Sequence, residues 1–286
     1  MRILNLAGRL TIDVDGERGT DVETASNGRF GPDPRSIYRQ WDEFRDWAAE
    51  DRSPVGTVPI DADALGPPSP APRQVFAIGL NYREHAIEAG LELPRTPMVF
   101  TKFPSSVTGP GGVIDLPDGS VDYEVELVAV IGREASGVPS GEAWAHVAGL
   151  TVGQDLSERD LQMAGPAPQQ FNMGKSFPGF APTGPVLVTP DEFADPDDVE
   201  ISCALNGVLV QKTRTSDMIF TLPAIVEFLS SVVTLYPGDL IFTGTPAGIG
   251  FVRDPQLLIG PGDDLVTTAA GIGQMRHTFR HAGDHS

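Results

Sequence analysis

Apolar residues along this chain fall in short runs rather than long helical stripes. Residues 75–79 form one such run. Residues 125–131 form a nearly continuous one, as expected of a strand buried on both faces. Residues 147–152, 239–243 and 264–268 predict further strands, and 1–14 mixes apolar and polar positions as short strands do. In 200–212, Asn206-Gly207 lies between two apolar segments, which signals a tight hairpin with positive φ. Helical spacing occurs in few places. Ile37, Trp41, Phe44, Trp47 and Ala48 predict an amphipathic helix over 36–50 that packs a small core. Shorter helices are predicted near 82–89 and over 223–232, the latter with proline early, where helices tolerate it. Helices do not alternate regularly with strands. The pattern therefore argues against a doubly wound βαβ sheet and for a mixed, β-rich α+β fold.

Composition sharpens this picture. The 286 residues include 32 Gly and 26 Pro, against roughly 34 together at average usage, so turns are many and long helices few. Four prolines in 66–72 (GPPSPAP) mark a boundary. This predicts a small N-terminal domain (1–66), a Pro-rich linker (67–72) and a larger catalytic domain (73–286). Lys+Arg number 20 and Asp+Glu 39, a net charge of −19, which argues against a nucleic-acid partner. Hydrophobic residues are 40%, enough for a proper core. The single Cys203 leaves no intrachain disulfide and no cysteine-rich zinc cluster. The start lacks a signal-peptide pattern and no stretch approaches 18 apolar residues, so a soluble, cytoplasmic protein with no membrane partner is expected.

The sharpest chemical feature is Asp122-Tyr123-Glu124-Val125-Glu126, which leads straight into the buried run. Side chains alternate along a strand, so Glu124 and Glu126 share a face. Two carboxylates there must be compensated by a cation, by protonation or by solvent. The cation reading is an oxygen-ligated Mg²⁺, Mn²⁺ or Ca²⁺ site. Asp155 follows the run 147–152 and is either a third carboxylate or a turn or helix cap. A helix from Leu156 would carry Arg159 round to the side of Asp155. His85 and Glu88 are i, i+3 neighbours on the predicted short helix, an arrangement that orients an imidazole as a general base, though exposed His/Glu pairs are commonplace. His146, His277, His281 and His285 have no such partner, and the last three lie in a C-terminal tail. Gly174-Lys175 hints at a phosphate loop, but Gln169 stands where that motif needs glycine. Residues 244–250 (GTPAGIG) miss the dinucleotide pattern, yet their glycines would let backbone amides approach an anion. No G-x-S-x-G or H-E-x-x-H occurs.

Seven stretches, in order, resemble the fumarylacetoacetate hydrolase family: 78–88 (IGLNYREHAIE), 100–110 (FTKFPSSVTGP), 121–132 (VDYEVELVAVIG), 149–162 (GLTVGQDLSERDLQ), 174–185 (GKSFPGFAPTGP), 215–220 (TSDMIF) and 236–250 (YPGDLIFTGTPAGIG). The resemblance implies a β-roll core and a homodimer. It implies Mg²⁺ or Mn²⁺, with Ca²⁺ as a substitute, held by Glu124, Glu126 and Asp155. It maps His85 and Glu88 onto a catalytic dyad on a closing lid helix, and Lys175 beside the metal and the substrate's oxo group. Tyr82, Arg159 and Gln162 would contact the substrate, and Thr245 its carboxylate end. Glu158 departs from the small residues common at its position, which adds negative charge near the expected pocket.

The implied partner is a small oxo-acid substrate. A 1,3-dicarbonyl or 2-oxo acid offers a cation two oxygens, and Lewis-acid stabilisation of an enolate permits C–C cleavage. The leading expectation is a metal-dependent hydrolase of an acylpyruvate-like dioxo acid. The alternatives are a 2-oxo acid decarboxylase of the oxaloacetate type, an isomerase or hydratase of an aromatic-catabolism intermediate, and, remotely, a non-catalytic acidic binding protein.

Overall fold

The computed structural model describes residues 1–50, 56–166 and 170–283. His285 and Gln169 lie outside the described residues. The strands of three or more residues are β1 (Arg2–Leu6), β2 (Arg9–Asp13), β3 (Arg18–Asp21), β4 (Thr57–Pro59), β5 (Val75–Gly79), β6 (Met98–Thr101), β7 (Gly111–Leu116), β8 (Val125–Ile131), β9 (Val147–Gln154), β10 (Ala181–Val188), β11 (Glu200–Leu205), β12 (Val208–Arg214), β13 (Leu240–Phe242), β14 (Asp264–Ala269) and β15 (Gly273–His281). The helices used below are α1 (Trp41–Ala49), α2 (Arg83–Glu88), α3 (Arg159–Gln162), α4 (Phe171–Gly174) and α5 (Leu222–Ser230). The fold is mixed and sheet-rich, as the pattern predicts. Among the described residues no helix is long and apolar enough to cross a membrane.

One large sheet runs β4-β3-β2-β1-β10-β9-β8-β13-β5-β6, and a five-stranded sheet runs β12-β11-β14-β15-β7. The N-terminal strands join the large sheet through β1, which pairs antiparallel with β10. Every residue of β8 is buried. Alternation sorts its side chains between two cores: Val125, Leu127, Ala129 and Ile131 face the main core. Val128 and Val130 face a second core with Ile37, Trp41, Phe44 and Trp47. The hairpin turn falls where expected, with Asn206 and Gly207 at φ 51° and 77° between β11 and β12.

Two local expectations need correction. Residues 36–50 do not form one helix. A 3₁₀ segment over Pro34–Arg39 ends at Gln40, whose φ of −139° breaks the helix before α1 begins. The apolar residues still reach one core, so the hydrophobic periodicity survives the break. His277 and His281 also belong to strand β15 rather than to a tail. His277 is buried, shares a hydrogen bond with the Gly109 carbonyl at 3.0 Å, and is pushed below its ordinary pKa by burial.

Candidate active site

The site forms where the start of β8 meets the end of β9. These strands pair antiparallel with Val125 opposite Gln154 and Glu126 opposite Gly153. One step further, the Asp155 amide donates to the Glu124 carbonyl at 2.9 Å. Pairing thus brings Asp155 beside the two glutamates that alternation aligns. Carboxylate oxygens of Glu124, Glu126 and Asp155 all lie within 4.8 Å of one another, and all three residues are buried. Asp155 is therefore the third carboxylate and not a cap. The cap of α3 is Glu158, whose carboxylate accepts from the amides of Asp160 and Leu161. It also accepts from the Ser120 amide at 3.0 Å. Its carboxylate is engaged by these amides, and Glu158 is not among the residues that line the cavity described below.

Three buried cations surround the cluster. Lys175 donates to Glu124 at 2.9 Å and to Asp155 at 2.5 Å. Arg159 donates to Glu124 at 2.6 Å and grips Asp122 through two nitrogens at 3.0 and 2.7 Å. It reaches Glu124 rather than the expected side of Asp155, because no helix connects 155 to 159. Lys102 donates to Asp155. Burial opposes ionisation of Glu124, but Lys175 and Arg159 outweigh it and hold that carboxyl well below its usual range. Glu126 behaves oppositely. Among the described residues it has no ion pair, and it accepts from the Gly244 amide at 2.7 Å. Burial, then Asp155 and Glu124, push its carboxyl well above the ordinary value. A buried carboxylate without a counter-charge, beside two others, is a donor set that fits a hard divalent cation.

His85 on α2 lines the same cavity as the carboxylates. Its Nδ1 lies 2.8 Å from Glu88, whose other oxygen accepts from the Gly248 amide at 2.9 Å. Glu88 can only accept as a carboxylate, so the Nδ1 proton of His85 is directed at it. The loop after β13 is held by three site carboxylates: Glu126 at Gly244, Glu88 at Gly248, and Asp122 at Gly250 and Phe251. Gly244 has φ +104°, and a Cβ there would sit 2.6 Å from Asn81, so glycine is required for the loop to close on Glu126.

A cavity of about 520 Å³ collects these parts. Its lining includes His85, Glu124, Glu126, Asp155, Arg159, Gln162, Lys175 and Thr245, together with an apolar wall. The Thr245 hydroxyl accepts from Gln211 at 2.9 Å, and Gln162 accepts from Arg159 at 2.8 Å. Tyr82 does not line this cavity. It borders a separate depression with Arg83, Lys212 and Asp217.

The family model described as fumarylacetoacetate (FAA) hydrolase C-terminal matches residues 74–280. This chain belongs to the fumarylacetoacetate hydrolase family. Within the family, the oxaloacetate tautomerase Fahd2a, mitochondrial, of Rattus norvegicus is 42% identical over 208 residues, covering 72% of this chain and 66% of the relative. The Bos taurus oxaloacetate tautomerase FAHD2B, mitochondrial, is 44% identical over the same coverage. The chain thus spans about two thirds of the length of these relatives. Among solved structures, a candidate HpcE protein of Mycobacterium smegmatis is 51% identical with a TM-score of 0.93, covering 99% of this chain and all of that one. A maleylpyruvate hydrolase of Sphingobium, solved with manganese(II) and pyruvate, is 26% identical with a TM-score of 0.78 over 99% of this chain.

Reading the sequence missed three members of the site. Lys102 lies just past β6 in the FTKFP stretch, far along the chain from its partner. Asp122 stood in the quoted acidic motif, but its task, holding Arg159 and the 250–251 amides, needs the fold to be seen. Asn81 joins the start of α2 to Thr243 and Phe220 through both ends of its amide.

Proposed function

We propose that this protein is a divalent-metal-dependent enzyme that acts on a 2-oxo acid through its enolate, with His85 as the base. The observation that carries this reading is that His85, held by Glu88, lines the same cavity as the three-carboxylate cluster. Glu124, Glu126 and Asp155 would hold Mg²⁺ or Mn²⁺, which supplies Lewis-acid polarisation of the substrate oxygens when bound. Glu88 fixes the imidazole with Nε2 toward the cavity, where it takes a proton from substrate carbon or from water. Lys175 adds positive charge where an oxyanion develops. Glu88 also bonds the 244–251 loop, so α2 closes against that wall over substrate and excludes bulk water. A homodimer in the cytoplasm completes the proposal.

With a 1,3-dioxo acid, water activated by His85 attacks the distal carbonyl and the C–C bond breaks, which makes the enzyme an acylpyruvate-type hydrolase. The curated relatives named oxaloacetate tautomerase favour a second reading, in which His85 only moves the proton between carbon and oxygen. One experiment separates them. Protein with Mn²⁺, and a control in EDTA, is given acetylpyruvate and oxaloacetate in D₂O. Pyruvate and acetate from the first compound support hydrolysis. Fast enol decay and deuterium exchange in the second, without cleavage of the first, support tautomerisation. Neither reaction in the presence of Mn²⁺ removes the proposal.

A further inference from the structure

Gln211 on β12 is buried, does not line the cavity, and joins two parts of the site. Its Oε1 accepts from the Val125 amide at 3.0 Å, between the two glutamates at the start of β8. Its Nε2 donates to the Thr245 hydroxyl and to the Pro246 carbonyl, both at 2.9 Å. Gln154 makes the matching bond to the Glu124 amide at 2.8 Å, but its nitrogen ends on Thr267 and Cys203, outside the cavity.

Two of these partners leave Gln211 no choice of orientation. A backbone amide only donates and a carbonyl only accepts, so the side-chain oxygen must face Val125 and the nitrogen must face Pro246. The Thr245 oxygen meets that same nitrogen and therefore accepts. Its hydroxyl proton is thereby turned away from Gln211. Thr245 is 3% exposed, lines the cavity, and among the described residues donates to no protein acceptor. A buried hydroxyl proton without an acceptor is costly, and the cavity is where an acceptor can enter.

We infer that Gln211 is a positioning residue for substrate: it holds the Thr245 hydroxyl as a donor into the cavity, where that hydroxyl binds a carboxylate oxygen of the oxo acid. Gln211 itself touches no substrate. This rests on the enolate reading above and deepens it. Because the same side chain bonds the Val125 amide, the donor is set in place against the strand that carries Glu124 and Glu126.

Calorimetry with pyruvate at saturating Mn²⁺ tests the assignment. Gln211→Glu keeps an acceptor for Val125 but turns a second acceptor toward Thr245, which then donates to it and not to the ligand. Gln211→Met breaks all three bonds but leaves the hydroxyl free to rotate. Pyruvate affinity is expected to fall by about tenfold or more in Gln211→Glu and in Thr245→Val, the scale of a hydrogen bond to a charged group. It should fall less in Gln211→Met and stay near wild type in Thr245→Ser. A purely structural role predicts the reverse order for the two Gln211 variants. That order, or unchanged affinity in Thr245→Val, overturns the inference. In the Thr245→Val background Gln211→Glu should add little. An equal loss there shows charge acting through space and also overturns it. Should Gln211→Glu not fold, an affinity of Gln211→Met between those of wild type and Thr245→Val supports the inference, and wild-type affinity overturns it. If pyruvate follows the expected pattern but neither acetylpyruvate nor oxaloacetate reacts, the enolate reading fails and this assignment stands. If either acid reacts while pyruvate binds every variant alike or none, the enolate reading stands and this inference falls.

Discussion

Lys102 ends on Asp155, and neither side chain has any solvent exposure. Lys175 takes the other oxygen of the same carboxylate. Asp155 is thus fixed by two ammonium groups from different parts of the chain, and its position does not depend on a bound ion. Burial pushes Lys102 below its usual pKa, so Asp155 is what keeps its charge in place.

Removing one partner of such a pair leaves the other buried and uncompensated. Lys102→Met should lower stability by about 3–5 kcal/mol, as measured by urea unfolding. The double change with Asp155→Asn should recover part of the loss. Full additivity of the two changes would show that the pair is not coupled.

Glu126 makes the metal-free protein sensitive to base. Its folded pKa lies above its unfolded value, so its contribution to stability is present below the ordinary carboxyl range and is lost as pH rises through the raised value. In EDTA, the melting temperature should fall over that interval, and Glu126→Gln should flatten the fall. A cation must displace the same proton, so Mn²⁺ affinity should rise with pH and binding should release a proton, both readable by calorimetry in buffers of different ionisation enthalpy.

His85→Ala should lower kcat by about 10²-fold or more while Mn²⁺ affinity stays near normal, because the imidazole lines the same cavity as the cluster and is not counted among its donors. Glu88→Gln should cost less, since the imidazole remains and only its orientation and basicity weaken. Loss of Mn²⁺ binding in His85→Ala would identify a ligand instead of a base.

Glu158→Ala should act on stability and not on substrate choice. It removes the acceptor for the amides of Ser120, Asp160 and Leu161, which at typical cap strength is about 1–2 kcal/mol. KM for any turned-over acid should stay unchanged.

What could be read from the sequence was whatever a short-range period encodes. Strand alternation set Glu124 and Glu126 on one face, and the unbroken apolar run of β8 announced burial on both sides. Asn206-Gly207 specified its turn because its dihedrals suit few other pairs. The i, i+3 spacing joined His85 to Glu88. Asp155 was ambiguous because its role depends on the register between β8 and β9, which no local pattern carries. Lys102 and Asp122 were hidden for the same reason, their partners lying 53 and 37 residues away. The charge of Glu158 was visible in the sequence, whereas its capping of the 159–162 helix depends on backbone geometry that no local pattern carries. The break at Gln40 was missed because hydrophobic spacing continues through it although the backbone does not.

The hydrogen bond from Gly248 to Glu88 gives the molecule its own gauge of helix movement. Glu88 travels with α2, whereas Gly244 and Gly250 are tied to Glu126 and Asp122, outside that helix. If α2 opens as proposed, the Gly248 amide loses its acceptor while its neighbours keep theirs. Its exchange with solvent deuterium would therefore count openings of the helix directly, with the Gly244 and Gly250 amides as internal standards. A ligand that seals the cavity would silence one amide in that loop and leave the other two unchanged.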